Sequence, residues 1–270
     1  MKVFIVTDQE GVSGCVCGGY GKGSTPERAR SYQALMMGEI NAVVEGCVQA
    51  GAEEIIVGEA HSIDLAALHP EAKLARGIPW HDCMALRRFG AVLFVGQHAR
   101  TGLADAVQSH TGSSVSITGF WINGRPAGEL GYIGGIAGSL GIPVIFLSGD
   151  TKACEEAREW VEGPVVTVAV EEAHSVHGAL CLPPAKTHPL LIDGVKRAFA
   201  GAKQIRPIRF DEPVTFTTEF LYARIADDYA LIPGTKREGA RTVSYTARTY
   251  REAYMGGMAV LASVLYKYDA

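Results

Sequence analysis

The sequence has no apolar segment of the length that a membrane span requires. The longest candidate, Ala253 to Tyr266, is interrupted by Gly256 and Gly257 and is shorter than the ~18 apolar residues that identify a span. The first residues, MKVFIVTD, reach the acidic Asp8 before an apolar run of signal-peptide length is complete. We therefore expect a cytoplasmic protein that makes no use of the membrane.

Basic clusters and paired cysteines are also lacking. The formal net charge is -4 and no block of Lys and Arg stands out, which argues against a nucleic-acid partner. The six cysteines are scattered and none of their spacings is C-x-x-C, so reduced thiols are favoured over disulfides or a structural zinc site. Apolar residues, by contrast, make up 47% of the 270 residues, enough for a substantial core.

A phosphate-binding loop is excluded as well. The Gly-rich segment GGYGKGST, over residues 18–25, resembles one in composition, but Val16 stands where the first glycine of the motif is needed. Gly23 follows Lys22 where the motif requires Ser or Thr. We interpret the segment as a loop, either a plain flexible one or one at the mouth of a site where Lys22 meets a substrate carboxylate.

Apolar runs alternate with helix-like segments through the first half of the chain. The predicted strands are Lys2 to Thr7, Glu54 to Gly58, Ala91 to Gly96, Ser116 to Ile122 and Pro143 to Leu147, and the predicted helices are Pro26 to Ala50, Glu129 to Leu140 and Thr151 to Val161. Such alternation is typical of an α/β fold with a mostly parallel sheet flanked by helices. Asn123-Gly124 predicts a tight turn after the fourth strand.

The pattern changes near Val165. A strand is predicted from Val165 to Val170, and Pro183, Pro184 and Pro189 then predict an irregular connection. Two further strands, Val214 to Phe220 and Arg241 to Ala247, and a final helix from Thr249 to Tyr266 complete the chain. We predict two units: an α/β metal-binding domain over residues 1–165, and a smaller C-terminal α+β lobe over residues 166–270.

Metal-competent side chains stand where several predicted elements meet one edge of the sheet. Asp8 and Glu10 follow the first strand, His61 the second and His98 the third, while Glu129 lies in the first turn of a helix. Because strands of a parallel sheet end at the same edge and the following helices begin there, these side chains are expected to converge. Alone, each has an ordinary explanation as a turn former, a helix-terminal charge or a hydrogen-bonding histidine. Together they would repel and desolvate one another unless a cation held them.

The mixture of oxygen and imidazole ligands suits Zn, Mn or Co. A catalytic zinc ion usually takes three protein ligands, so five side chains suit two ions about 3.5–4 Å apart that share a carboxylate. We predict Asp8 as the shared ligand. His110, a short loop beyond His98, is the candidate catalytic residue, as a general acid or base or as an oxyanion stabiliser, with a surface-loop histidine as the alternative.

Two other groups are given ordinary roles. Glu171, His174 and His177 in EEAHSVHG mimic a metal cluster, but no further ligand is near in sequence, and we predict a solvated loop. Asp150 is predicted to cap the helix that begins after it.

The motifs DQEGVSG, EAHS, GQHAR, QSH and NGRPAGELG resemble those of the zinc-dependent D-aminopeptidases of the DppA type, peptidase family M55. The likeness continues through LHPEA, LSGD, CLPPAK and LIPGT and so extends over the whole chain. The resemblance implies two zinc ions per subunit, a short peptide substrate with D-residues preferred, and a ring-shaped homo-oligomer. It assigns the metal ligands to Asp8, Glu10, His61, His98 and Glu129, and the catalytic histidine to His110.

Two other functions stay open. The first is a two-metal hydrolase of another class, such as a phosphoesterase or a non-peptide amidase. Phosphate sites normally use Arg or Lys, and only Arg100 and Lys22 are near in sequence. The second is a binding protein stabilised by a structural ion, which is disfavoured because structural sites fill every coordination position with protein.

Overall fold

A computed structural model of the chain describes residues 1–17 and 24–257. The strands are, in chain order, β1 (Lys2–Thr7), β2 (Glu54–Gly58), β3 (Ala72–Ala75), β4 (Ala91–Gln97), β5 (Ile117–Ile122), β6 (Arg125–Pro126), β7 (Val144–Asp150), β8 (Val166–Ser175), β9 (Gly178–Cys181), β10 (Val214–Phe220), β11 (Thr235–Arg237) and β12 (Thr242–Ala247). The helices are α1 (Pro26–Gln49), α2 (Trp80–Arg87), α3 (Glu129–Ser139), α4 (Thr151–Trp160), α5 (Pro184–Gly201) and α6 (Ala223–Tyr229), with a 3-10 turn at Ala202–Gln204. A further helix covers residues 250–257, while Lys22 and the rest of the predicted final helix lie outside the described residues.

Seven strands form the first sheet, in the order β3-β2-β1-β4-β7-β8-β9. All neighbouring pairs are parallel except β8 with β9. Every residue of β4 and of β7 is buried, as expected of central strands covered on both faces. The chain builds outward from β1 on one side and then returns to place β4 on its other side, so the order of strands reverses between β1 and β4. Ligands of open α/β sheets bind at such a reversal.

The helices begin and end where local chemistry allows. The Thr25 side chain accepts a hydrogen bond from the Arg28 amide at 3.2 Å, and Pro26 takes the first position of α1, where a missing N–H is harmless. Gly51, just past the end of α1, has φ +77°, the left-handed conformation that the predicted C-terminal cap needs. The predicted cap of α4 is also confirmed, because the Asp150 side chain accepts from the Ala153 amide at 2.7 Å.

The prediction of an irregular connection after residue 183 was wrong. Pro184 is the first residue of the 18-residue helix α5, and Pro189 lies inside it. A proline is tolerated at the start of a helix, and the single interior proline is outweighed by burial of the face that carries Leu191 and Val195. That face packs against α1, where a Cβ on Gly46 would come within 2.9 Å of the Val195 Cβ.

The second sheet is antiparallel, in the order β11-β12-β10-β5-β6. The predicted turn joins β5 to β6, with positive φ angles at Asn123 (48°) and Gly124 (77°), as a two-residue hairpin requires. The predicted fold class, a mostly parallel sheet flanked by helices with a further α+β part, is confirmed. The sheets do not divide the chain at residue 165, however. β5 and β6 precede that point but belong to the second sheet, and β8 and β9 follow it but belong to the first. Membership of a sheet does not by itself define a domain, so the division into domains at residue 165 stays a prediction.

The segment around Glu171 is not a loop. Glu171 and His174 lie in β8, which runs to Ser175 and turns into β9, and the Glu171 side chain is buried while those of His174 and His177 are exposed. A strand longer than predicted explains the difference, since β8 continues past the end of its apolar run. None of the helices in the described part of the chain is long and apolar enough to cross a membrane.

Candidate metal centre

The segment that follows β1 is bound to β4 by its backbone. The Asp8 amide donates to the Val95 carbonyl at 2.9 Å, and the Gly11 amide donates to the Gly96 carbonyl at 2.8 Å. A Cβ on Gly11 would overlap the Gln97 carbonyl, so only glycine permits this approach. The sequence thus fixes Asp8 and Glu10 beside the end of β4, where His98 follows.

Asp8, Glu10 and His61 form one compact group. The His61 Nε2 atom lies 3.0 Å from the Asp8 Oδ1 atom and 3.0 Å from the Glu10 Oε2 atom. One ligand atom from each of the three lies within 4.8 Å of the other two. His61 comes from the loop after β2, so the structure brings together the ends of two neighbouring strands as predicted.

His98, Glu129 and His110 form a second group whose ligand atoms also lie within 4.8 Å of one another. The His98 Nε2 atom is 3.7 Å from the Glu129 Oε1 atom and 3.4 Å from the Asp8 Oδ2 atom. Glu129 is the first residue of α3, as predicted. The rings of His98 and His110 stack at 3.9 Å between centroids, with planes 11° apart. Asp8 therefore contacts both groups, one through each carboxylate oxygen.

Hydrogen bonds to the backbone orient the two stacked histidines. The Nδ1 atom of His98 lies 2.9 Å from the Ala99 carbonyl, and the Nδ1 atom of His110 lies 2.7 Å from the Gln108 carbonyl. A carbonyl oxygen only accepts, so each Nδ1 carries a proton and donates it. In a neutral ring the lone pair is then on Nε2, which is the arrangement found in histidines that bind metals.

The carboxylates are oriented as well. The Gln97 side-chain amide donates to the Asp8 Oδ2 atom at 3.2 Å, and the Gly112 amide donates to the Glu129 Oε1 atom at 2.9 Å. Glu156, on α4, accepts from the Arg100 amide and from the Gly128 amide at the start of α3, at 2.9 and 3.1 Å. Sequence reasoning missed Gln97 and Glu156. Gln97 directly precedes His98, but Glu156 gives no local signal because its partners are distant in sequence.

Crowding of these groups perturbs their pKa values in opposite directions. Burial, together with the neighbouring Glu10, raises the pKa of Asp8 to about 7. Burial opposes protonation of the histidines, but their contacts with the carboxylates outweigh it and raise the pKa of His61 to about 11 and that of His98 to about 10. Burial also opposes ionisation of Glu129, but contact with His98 outweighs it and lowers the pKa of Glu129 to about 2. The cluster thus strongly favours positive charge between its carboxylates.

The residues fit a pair of divalent cations. Within residues 1–17 and 24–257, the ion-pair contacts of Asp8, Glu10 and Glu129 are all with histidine rather than with Lys or Arg. Protonated histidines supply the compensating charge only by giving up their ligand lone pairs, whereas cations bound between the groups would use them. Oxygen and imidazole donors without thiolate suit Zn, Mn or Co. The donor set could therefore hold two ions, one in each group, with Asp8 between them.

The loop that carries His110 is held by buried polar side chains. Asp150 accepts from the Val107 amide at 2.9 Å in addition to capping α4, and Thr111 donates to the Ala127 carbonyl at 3.2 Å. Burial and the neighbouring His98 lower the pKa of His110. His110 is therefore a neutral imidazole at neutral pH, half-buried beside the cluster.

Comparisons with known proteins identify relatives of the chain. The family model of peptidase family M55, described as D-aminopeptidase, matches residues 1–258. A curated relative from Bacillus subtilis (strain 168), named D-aminopeptidase, is 31% identical over an alignment of 265 residues that covers 94% of each protein. A solved structure, "Zn-dependent D-aminopeptidase DppA from Bacillus subtilis, a self-compartmentalizing protease", matches with a TM-score of 0.91 and 30% identity over 100% of both chains.

The fold and its relatives define the chain first as an enzyme of the metallopeptidase class. Within that class the chain belongs to peptidase family M55, the D-aminopeptidase family. The family resemblance predicted from the motifs is thereby confirmed.

Proposed function

We propose that the chain is a zinc-dependent aminopeptidase that removes N-terminal residues, D-residues preferentially, from short peptides at a two-zinc centre. The observation that carries the proposal is the pair of ligand groups joined by Asp8, in a chain that belongs to the D-aminopeptidase family. The zinc dependence of the structural relative supports zinc over Mn or Co.

We assign each predicted ligand to one of the two ions or to both. Glu10 and His61 would hold one ion, His98 and Glu129 would hold the other, and Asp8 would contact both. When bound, zinc supplies Lewis-acid chemistry, because it polarises a carbonyl group and lowers the pKa of water. Gln97 keeps one Asp8 oxygen aimed at His98, and the Gly112 amide keeps Glu129 in place.

His110 is assigned the proton chemistry of the reaction. Its Nδ1 proton is donated to the Gln108 carbonyl, so its Nε2 atom accepts a proton and can later return it to the leaving amine. The lowered pKa of His110 keeps Nε2 unprotonated at neutral pH, as a general base requires. Stabilising the oxyanion is the alternative role, and it would need the protonated ring.

We further propose that the chain assembles into a ring-shaped homo-oligomer whose sites face an internal chamber. The support is the structural relative, a self-compartmentalizing protease that covers the whole chain at 30% identity. Light scattering coupled to size exclusion measures the assembly directly. A molar mass that stays near the 28.8 kDa of one chain would contradict the proposal.

The experiment that tests the proposed function is hydrolysis of matched D-Ala and L-Ala dipeptides, before chelation, after chelation and after zinc is returned. Zinc-restored cleavage that favours the D-dipeptide is the expected result. Zinc-restored cleavage that favours the L-dipeptide would keep the metal centre and reject the stereochemical preference. No cleavage of either peptide with zinc bound would reject the peptidase and favour a two-metal hydrolase of another class, such as a non-peptide amidase or a phosphoesterase.

A further inference from the structure

Gln108 has a backbone conformation that glutamine rarely adopts. Its φ angle is +45°, in the left-handed region that favours glycine, and it lies in the loop between β4 and β5 that carries His110. Asp105, in the same loop, has φ +51°. Strained non-glycine residues persist where surrounding contacts fix them, and they concentrate at functional sites. The contacts that hold Gln108 are therefore informative.

Gln108 joins its own loop to two other segments of the chain. Its side-chain amide Nε2 donates to the Cys15 carbonyl at 2.6 Å, in the segment that follows Glu10. Its backbone amide donates to the Val176 carbonyl at 2.9 Å, at the turn between β8 and β9. Cys15 itself is fully buried, so the carbonyl that receives the side chain belongs to a well-packed part of the chain. These contacts hold Gln108 in its unusual conformation.

The backbone carbonyl oxygen of Gln108 contacts His110. It accepts the hydrogen bond from the His110 Nδ1 atom at 2.7 Å. The direction of this carbonyl depends on the backbone angles of Gln108, and those angles are held by the side chain and by Val176. The carbonyl in turn fixes the protonated nitrogen of the His110 ring and the direction in which Nε2 points.

We propose that Gln108 is a positioning residue for His110: its side-chain bond to Cys15 fixes the carbonyl that orients the imidazole. The inference rests on the proposed function, because it assigns the reaction's proton chemistry to His110. The other role open to Gln108 is to stabilise the loop without acting on His110, and the two roles predict different kinetics.

Two substitutions remove the side-chain bond in different ways. Gln108→Glu keeps the length but sets a carboxylate against the Cys15 carbonyl, so that two acceptors face each other. Gln108→Asn suits the left-handed backbone, since asparagine tolerates it, but is too short to reach Cys15. We expect either change to lower kcat about 10- to 100-fold, the effect of misplacing a catalytic group. We expect KM and the zinc content to stay close to those of the unchanged protein.

A matched control is available in the second sheet. Asn123 also has a positive φ, +48°, and its side-chain amide donates to the Asp211 carbonyl at 2.8 Å, in the hairpin between β5 and β6. Asn123→Asp makes the same change from amide to carboxylate, on a left-handed residue outside the centre. It should leave kcat unchanged even if it lowers the melting temperature.

Combination with His110→Ala separates the two roles. If Gln108 acts through His110, then Gln108→Glu should change kcat by no more than about 2-fold in the His110→Ala protein, because the two effects are not additive. A purely structural role would give the same fold loss with and without His110. An equal loss in both backgrounds, loss of zinc from either Gln108 variant, or an unchanged kcat would each overturn the inference.

A structural readout makes the test independent of peptidase activity. The ring ¹⁵N signals of His110, assigned by their absence from the His110→Ala protein, should show a single tautomer protonated at Nδ1 in the zinc-loaded protein. Gln108→Glu should give a mixture of tautomers, and an unaltered single tautomer would refute the positioning role. If the dipeptide test fails while these tautomers change as expected, the proposed function is wrong and the positioning of His110 stands.

Discussion

Asp8 differs from the other candidate ligands because its two oxygens contact different groups, His61 through Oδ1 and His98 through Oδ2. We expect Asp8→Ala to reduce bound zinc from about two ions per subunit to nearly none, since both ions lose a ligand. His61→Ala should leave about one ion, because the group of His98 and Glu129 remains. Zinc is measured by elemental analysis after dialysis.

The control for this comparison is His69→Ala. His69 lies in the same loop region and contacts Glu45 at 3.1 Å, away from the cluster. Its substitution should leave two ions bound. If Asp8→Ala and His61→Ala lose the same amount of zinc, the shared-ligand role of Asp8 would be rejected.

His110→Ala should leave the zinc content unchanged while lowering kcat by about 10²- to 10⁴-fold, the range typical of general acid–base catalysis. The prediction is demanding, because the ligand atoms of His110, His98 and Glu129 are close enough to hold one ion together. Elemental analysis and kcat on a D-Ala dipeptide are measured on the same preparation. Loss of one zinc ion would make His110 a ligand instead of the catalytic residue.

Residue types and positions were enough to predict which side chains meet at the sheet edge. Asp8, His61 and His98 each follow a buried strand. Because parallel strands end at the same edge of the sheet, these side chains lie close together. Gln108 and Glu156 could not be found in this way. They act on the backbone of segments far away in sequence, and such contacts depend on how loops pack, which no local pattern encodes.

At the scale of elements, α3 depends on glycine where it crosses the segment before β10. A Cβ on Gly138 would overlap the Ile208 carbonyl, so Gly138→Ala requires a shift of the backbone. We expect a loss of about 1–3 kcal/mol in the free energy of unfolding, even though alanine has the higher helix propensity. Urea unfolding of the chelated protein measures it.

Ser139→Ala serves as the control, because Ser139 is exposed at the end of the same helix. It should change the free energy of unfolding by less than about 0.5 kcal/mol, as surface substitutions usually do. A Gly138→Ala protein as stable as the control would show that α3 does not need this close approach.

Most long or strongly apolar elements were predicted within one or two residues of their observed ends, but β7 and β8 continue three and five residues past their predicted ends, and short or mixed elements were missed. β1 and β2 have the predicted bounds because their apolar runs are continuous and end at turn or polar residues. β3 and β9 were missed because they are short edge strands with exposed residues, which lack both an apolar run and a clear alternation. α5 was missed because its prolines were given more weight than the amphipathic pattern that follows them.

At the scale of the whole molecule, the chain passes between the two sheets more than once. The change in the pattern of predicted strands and helices near residue 165 could not reveal this. The change at residue 165 coincides with β8, which completes the parallel order of the first sheet beside β7. β5, predicted as one more strand of the first half, instead pairs with β10 across the sequence. Strand pairing between distant segments is set by tertiary packing, so local pattern predicted the strands but not their sheets.

Two buried carboxylates, from α1 and β8, bind the segment that follows Asp8 and Glu10. Glu39 on α1 accepts from the Ser13 amide at 3.2 Å, and Glu171 on β8 accepts from the Gly14 amide at 3.0 Å. Each has one buried oxygen without a hydrogen-bond partner among the described residues. Burial raises the pKa of Glu39 to about 8 and that of Glu171 to about 7. Both groups are therefore more acidic in the unfolded chain than in the folded protein.

The sign of the resulting pH dependence follows from linkage. An unfolded Glu39 ionises near the ordinary glutamate pKa of 4.5, whereas the folded one stays protonated until about pH 8, so the folded state binds more protons between those values. Stability should therefore fall as the pH rises through this window. Glu39→Gln cannot ionise, and we expect it to remove about 1–3 kcal/mol of the decrease in unfolding free energy between pH 5.5 and 8.5. Urea unfolding of the chelated proteins at both pH values gives the difference, with Glu27→Gln, on the exposed first turn of α1, as the control that should keep the full decrease. An equal decrease of the unfolding free energy in the Glu39→Gln protein would contradict the prediction. It would mean that Glu39 ionises as readily in the folded protein as in the unfolded chain, although its side chain is buried against the segment that follows Asp8 and Glu10.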